Sequence, residues 1–170
     1  MASRLSDDLD HVARIQQEWA RERPEVDVSP QGVIGRLHRL ADWLTEELAV
    51  VFRDAGLSAG EFDVLATLRR AGAPFERTPG DLAESTMITS GGLTKRVDRL
   101  EHAGLVTRRP SERDGRGRVV ALTPTGRALV DEVFDRHMAN ERRLVELLDA
   151  DDREVLETVL TRWLAVSAGG

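Results

Sequence analysis

The side chains best equipped for chemistry are cationic, and they cluster. Between Lys95 and Arg118 lie eight basic residues (Lys95, Arg96, Arg99, Arg108, Arg109, Arg113, Arg116 and Arg118) against four acidic ones (Asp98, Glu101, Glu112 and Asp114). That window carries +4, so the rest of the chain carries −10 of the net −6. A basic patch on an acidic body can neutralise phosphates while the body repels nucleic acid elsewhere. Catalysis finds no comparable support. There is no nucleophile set beside a base, no glycine loop that would cradle phosphates and no H-E-x-x-H metal helix. The absence of cysteine excludes thiolate catalysis, disulfides and cysteine metal sites. The Asp7-Asp8/Asp10-His11 group has some metal-ligand character, but reads better as the solvated start of a helix. No catalytic residue, no metal and no cofactor are therefore expected.

The elements that must position these charges follow from spacing. Lys95, Arg99 and His102 recur at i, i+4 and i+7, while Leu93, Val97 and Leu100 share another face and must point inward. Asp81-Leu-Ala-Glu-Ser reads as a short helix capped by Asp81. A second helix spans about 89–102, capped by Thr89 or Ser90 and closed by Gly104 in the left-handed C′ position. Gly91 and Gly92 weaken its start but let backbone approach DNA closely, the alternative being loose packing at a helix end. Two β-prone runs, Leu105 to Arg109 and Arg118 to Thr123, flank the turn-rich PSERDGRG. Helix, turn, helix and hairpin together make a winged helix-turn-helix. Its groove-facing candidates are Ser90, Gly91, Gly92, Thr94, Lys95 and Arg99. Arg113, Arg116 and Arg118 on the hairpin suit a narrow minor groove, which concentrates negative potential.

The remaining chain supplies helices. Leu5, Leu9, Val12, Ile15 and Trp19 mark an amphipathic helix over about 4–22, ended by Pro24. Val33, Leu37, Leu40, Leu44, Leu48 and Val51 mark a longer one over 31–54. Ser58 with Glu61 forms a capping box for a third. Pro124 suits the first position of a long helix to about Leu148, and Asp149 or Asp151 caps a last helix bearing Val155, Leu156, Val159, Leu160, Trp163 and Leu164. On the apolar side of the long helix His137 sits with Val130, Phe134 and Leu144, where an interface histidine is a better reading than a pH sensor. The fold expected is mainly α with a small β-wing, divided into a helical arm (1–30), a scaffold helix (31–56), the winged helix-turn-helix (57–123) and C-terminal helices (124–170). The terminal helices carry more apolar surface than the small winged domain needs, which points to a two-fold homodimer on a pseudo-palindromic double-stranded operator. No apolar run approaches the length of a membrane span and no secretory leader is legible, so a cytoplasmic protein without membrane contact is expected. A winged helix used for protein contacts is the alternative, and a steep fall of DNA affinity with salt separates the two.

The series LSAGEFDVLATLRRAG, LAES and TSGGLTKRVDRLEHAGLVTRRPSERDGRGRVVALTPTGRALV resembles the MarR family of transcriptional regulators. The resemblance runs from roughly Gly32 to the C-terminus and implies a homodimeric repressor with a recognition helix at about 89–102. It makes Arg116 the wing arginine, with Asp114 orienting it, and Gly115-Arg116 stands where two adjacent arginines are usual. The N-terminal helix ending in EWARERP and Asp63 in EFDVL are similar to the urate-responsive branch. That likeness implies a purine pocket of Trp19, Asp63, Arg96 and Arg108, with urate or another purine as effector. The chemistry is compatible: an indole supplies a face, a guanidinium forks onto a flat anion and Asp63 can hold an arginine when ligand is absent. Arg96 and Arg108 could instead bind phosphate, and a phenolic or other aromatic acid is the alternative effector.

Overall fold

In the computed structural model, which describes residues 10–86, 92–110 and 117–167, helix formation follows the local signals closely. The helices are α1 (His11–Glu22), α2 (Gln31–Asp54), α3 (Ala59–Arg70), α4 (Pro79–Ser85), α5 (Leu93–His102), α6 (Pro124–Val145) and α7 (Ala150–Ser167). The strands are β1 (Glu76–Arg77), β2 (Val106–Pro110) and β3 (Arg118–Leu122), in the order β1-β3-β2 with both pairs antiparallel. The chain divides into two compact units, Met1–Glu47 and Leu48–Gly170.

In the first unit Asp10 caps α1, accepting from the Ala13 N–H at 2.8 Å, and its second oxygen takes Arg36 Nε at 2.7 Å. The Ala13 N–H and the Arg36 guanidinium hold its carboxyl below the ordinary carboxylate range. Gln16 donates to the Val28 carbonyl at 2.9 Å, tying α1 to the turn before α2. Buried Val12 lies against Gly35, whose missing side chain lets the two helices approach.

In the second unit the core gathers from α2, α3, α4, α5, the sheet and α6; Leu65, Leu68, Leu82 and Val133 are fully buried in it. The Ser58–Glu61 capping box forms as the spacing predicts. Gly104 adopts φ 71°, and Leu105 N–H returns to the Leu100 carbonyl at 2.9 Å, closing α5. Thr123 caps α6, with Pro124 in its first turn. Asp149 caps α7 through the Asp152 N–H at 2.8 Å.

Several expectations are corrected. Thr78, not Asp81, caps α4: its hydroxyl accepts from the Asp81 N–H at 3.1 Å, and Pro79 follows at the helix start. Within the described residues α5 begins at Leu93 rather than 89, because Gly92 sits at φ 88°, outside the helical region. The link before α4 contains β1, whose two residues pair with Ala121 and Val120 of β3. His137 packs against the Phe52 and Phe62 rings, at 5.1 and 5.2 Å, with Nε2 3.1 Å from Glu141. His137 thus faces these core rings, whereas Phe134, expected beside it, is 47% exposed, because residues 133 and 137 share the inward face of α6 and 134 does not. α7 buries none of its residues, leaving Val155, Trp163 and Leu164 exposed.

Candidate nucleic-acid interface

The α4–α5 pair, the α3 helix beneath it and the β2–β3 hairpin build the second unit's basic face. α5 turns Val97 and Leu100 into the core and leaves Thr94, Lys95, Asp98 and Arg99 exposed. Its N-terminus, at Gly92, receives no side-chain cap. Gly92, Thr94 and Lys95 are thus on the outer side, which for Lys95 is what its spacing predicts. Arg118 opens β3, also exposed; neither its side chain nor that of Lys95 has an ion-pair partner among the described residues. Ser90, Gly91, Arg113 and Arg116, with the helix-cap candidate Thr89 and the wing's Asp114, lie outside the described residues.

Arg99, Arg108 and Arg109 of the basic window are engaged within the protein. Arg99 Nε donates to Glu61 Oε1 at 2.7 Å. Arg109 reaches Glu76 on β1 at 2.6 Å, binding β2 across the sheet to its far strand. Arg108 is the most constrained: Nη2 lies 2.5 Å from Asp98, Nη1 pairs with Glu101, and its backbone N–H donates to the same Glu101 at 2.9 Å. Burial lowers its pKa, but the hydrogen bonds and charges of Asp98 and Glu101 outweigh this and raise it. Arg108 therefore fastens β2 to α5. Asp98 and Glu101, which sequence counting treats as subtractions from charge, anchor β2 to α5 through Arg108.

The effector candidates fall in both units. Trp19 lies on α1 in the first unit, 48% exposed. Asp63, Arg96 and Arg108 lie in the second. Asp63 is 8% exposed on α3, and one turn further along the helix Thr67 is fully buried, its hydroxyl without a hydrogen-bond partner among the described residues. Arg96 runs across Gly60, three residues before Asp63: a Cβ there would stand 2.9 Å from Arg96 Cζ and 3.0 Å from Cδ. The first turn of α3 thus receives Arg96 at Gly60 and Arg99 at Glu61, adjacent positions on α3 that meet residues three apart on α5. Sequence reasoning missed Glu61, Glu76 and Thr67 at this face; a carboxylate at the start of α3 was legible only as a helix cap. No group of three or more acidic or histidine side chains suited to a metal occurs among the described residues, and Asp10 is committed to its helix cap and Arg36.

Comparison with known proteins gives this geometry a context. Residues 55–117 match the model of the MarR family. The HTH-type transcriptional regulator PecS of Dickeya dadantii (strain 3937) is 42% identical over 151 residues, 89% of this chain and 91% of that protein. A variant of MarR from E. coli complexed with operator DNA is similar with TM-score 0.67 and 28% identity, over 82% of this chain and 99% of that one. Bordetella bronchiseptica BpsR, whose DNA binding is regulated by 6-hydroxynicotinic acid, is similar with TM-score 0.66 and 25% identity, over 77% of this chain and 91% of that one.

Proposed function

This chain belongs to the MarR family of transcriptional regulators, and from that premise we propose that it is a ligand-responsive repressor released from its operator by urate or a related purine. It grips a pseudo-palindromic duplex through its winged helix-turn-helix (57–123), as a homodimer joined through the scaffold helix (31–56) and C-terminal helices (124–170) with the helical arm (1–30), and carries out this role in the cytoplasm. No helix among the described residues is long and apolar enough to cross a membrane. Apolar side chains left exposed on α7, Val155 and Leu164 among them, favour a second copy as their cover. α5 is the recognition helix, with Gly92, Thr94, Lys95 and Arg99 facing DNA alongside Ser90 and Gly91, and Arg113, Arg116 and Arg118 serve the wing.

The observation that carries the effector reading is the burial of Asp63 on the helix against which α5 rests. A carboxylate withdrawn from water is costly unless charge or hydrogen bonds compensate it. An anion that recruits Arg96 or Arg108 changes that balance. To meet a ligand Arg108 must leave Asp98 and Glu101, which loosens the wing from α5, so binding and DNA grip oppose each other as differential affinity requires. Trp19 is the aromatic candidate for the purine face.

The test is a gel-shift titration on the intergenic duplex upstream of the chain's own coding sequence, with urate and with salicylate. Release by urate, lost in Asp63→Ala and in Trp19→Ala while both still bind DNA, is the expected result. Release by salicylate alone keeps the repressor and overturns the purine assignment. An aromatic acid is the second reading, favoured by the likeness to BpsR and its 6-hydroxynicotinic acid response. Failure to bind that duplex at low salt overturns the repressor reading.

A further inference from the structure

Glu61 performs two tasks with one carboxylate. Oε2 accepts from the Ser58 N–H at 2.8 Å and from the Ser58 hydroxyl at 2.6 Å, which completes the cap of α3. Oε1 accepts from Arg99 Nε at 2.7 Å. The Glu61 side chain is 12% exposed and the Arg99 side chain 55% exposed, so the carboxylate is seated in the protein while the guanidinium stands at its surface. Arg99 has no other partner among the described residues, which leaves its Nη edge unengaged. A guanidinium is a rigid planar fork. Gripping it along the Nε side fixes the direction in which the remaining N–H groups point.

We propose that Glu61 is a positioning residue for DNA binding: it holds one edge of Arg99 so that the opposite edge is presented, preorganised, to a backbone phosphate. The inference rests on the reading of α5 as the DNA-contacting helix. It assigns to α3 a role that no residue of the basic face suggests, since an acid near a phosphate site would by charge alone oppose binding. The cost of that repulsion is offset because an arginine already ordered loses less side-chain freedom when the phosphate arrives. The anchor is itself ordered by Ser58, so the orientation of Arg99 is referred back to the start of α3, one residue from the Gly60–Arg96 contact.

The experiment measures affinity for the upstream duplex against salt, for the full chain and for Glu61→Gln, Arg99→Gln and their combination. Glutamine keeps an acceptor for the Ser58 N–H but removes the charge that grips Arg99; thermal melting checks that each variant folds. Arg99→Gln should lower the slope of log affinity against log salt by about 0.9, the loss of one phosphate contact. Glu61→Gln should weaken binding roughly threefold when Arg99 is present, the scale of one exposed charge pair, and leave it unchanged when Arg99 is glutamine. Equal weakening in both backgrounds makes Glu61 merely structural and overturns the proposal; so does tighter binding by Glu61→Gln, which makes it a competitor of phosphate. Arg99→Lys gives a second arm that does not depend on the Glu61 variant folding. A lysine keeps the charge, hence the salt slope, but cannot be gripped on one edge while presenting another, so binding should fall; wild-type affinity in that variant also overturns the proposal. A wild-type chain that fails to bind the duplex at low salt overturns the underlying DNA reading instead.

Discussion

Gly126 lies in the first turn of α6, in the stretch TPTGR, and packs directly on the backbone of Leu105. A methyl group there would overlap the Leu105 carbonyl oxygen and stand 2.8 Å from its carbon and 3.1 Å from its Cα. Carbon atoms prefer separations of about 3.5–4.0 Å, so the two backbones must part by most of an ångström or more. The Leu105 carbonyl cannot yield cheaply. It accepts from the Thr123 N–H at 3.1 Å and from the Thr123 hydroxyl at 3.2 Å, and that same hydroxyl caps α6 by accepting from the Gly126 N–H at 3.0 Å. Overpacking costs about 1–3 kcal/mol and a lost cap about 1 kcal/mol. Gly126→Ala should therefore destabilise the fold by roughly 3 kcal/mol, which for a chain of this length lowers Tm by about 6–12 °C. Thermal and urea denaturation followed by circular dichroism measure it, with Gly80→Ala as the control. At Gly80, in the first turn of α4, the nearest atom to an added Cβ is the Thr78 hydroxyl at 3.8 Å, so that variant should match or slightly exceed the wild type. A Gly126→Ala protein that melts within about 2 °C of the wild type would refute the claim that this contact is rigid.

Two further outcomes follow from the ion pairs around α5. Arg108→Ala leaves Asp98 and Glu101 without their guanidinium, and because both carboxylates are partly exposed the loss should be only about 1 kcal/mol; chemical denaturation reads it, and an unchanged midpoint would remove the clamp from the account of the wing. Burial raises the Glu61 pKa, but hydrogen bonds from Ser58 and the Arg99 charge outweigh it and depress the group below its ordinary 4.5. A depressed carboxyl contributes stability that is present above 4.5 and is lost as pH falls through the folded value. Melting curves between about pH 6 and pH 3 should accordingly fall less steeply in Glu61→Gln than in wild type, and parallel curves would contradict a contribution from this carboxylate.

What the amino-acid order determined by itself is what depends on near neighbours. The Ser58–Glu61 cap, the left-handed Gly104 and the Thr123-Pro124 start of α6 each concern groups within a few residues, so the local sequence suffices to specify them. The inward stripe of Val97 and Leu100 is equally legible, because helical periodicity needs only the spacing of apolar residues. Asp81 shows the limit even there: the cap is Thr78, three residues earlier, where Pro79 follows it at the start of the helix. Charge counting identified the basic face but could not say which arginines are free. Arg99 finds Glu61 38 positions away and Arg109 finds Glu76 33 away, and such partners are chosen by how the sheet and helices pack, not by the chain near them. The two-residue β1 is too short to carry a periodic signal and exists because β3 offers it an edge. Gly126 joins both kinds: the sequence places a glycine in the first turn of a helix, where alanine would form the helix better, and only the Leu105 backbone packed against it explains why a side chain has no room.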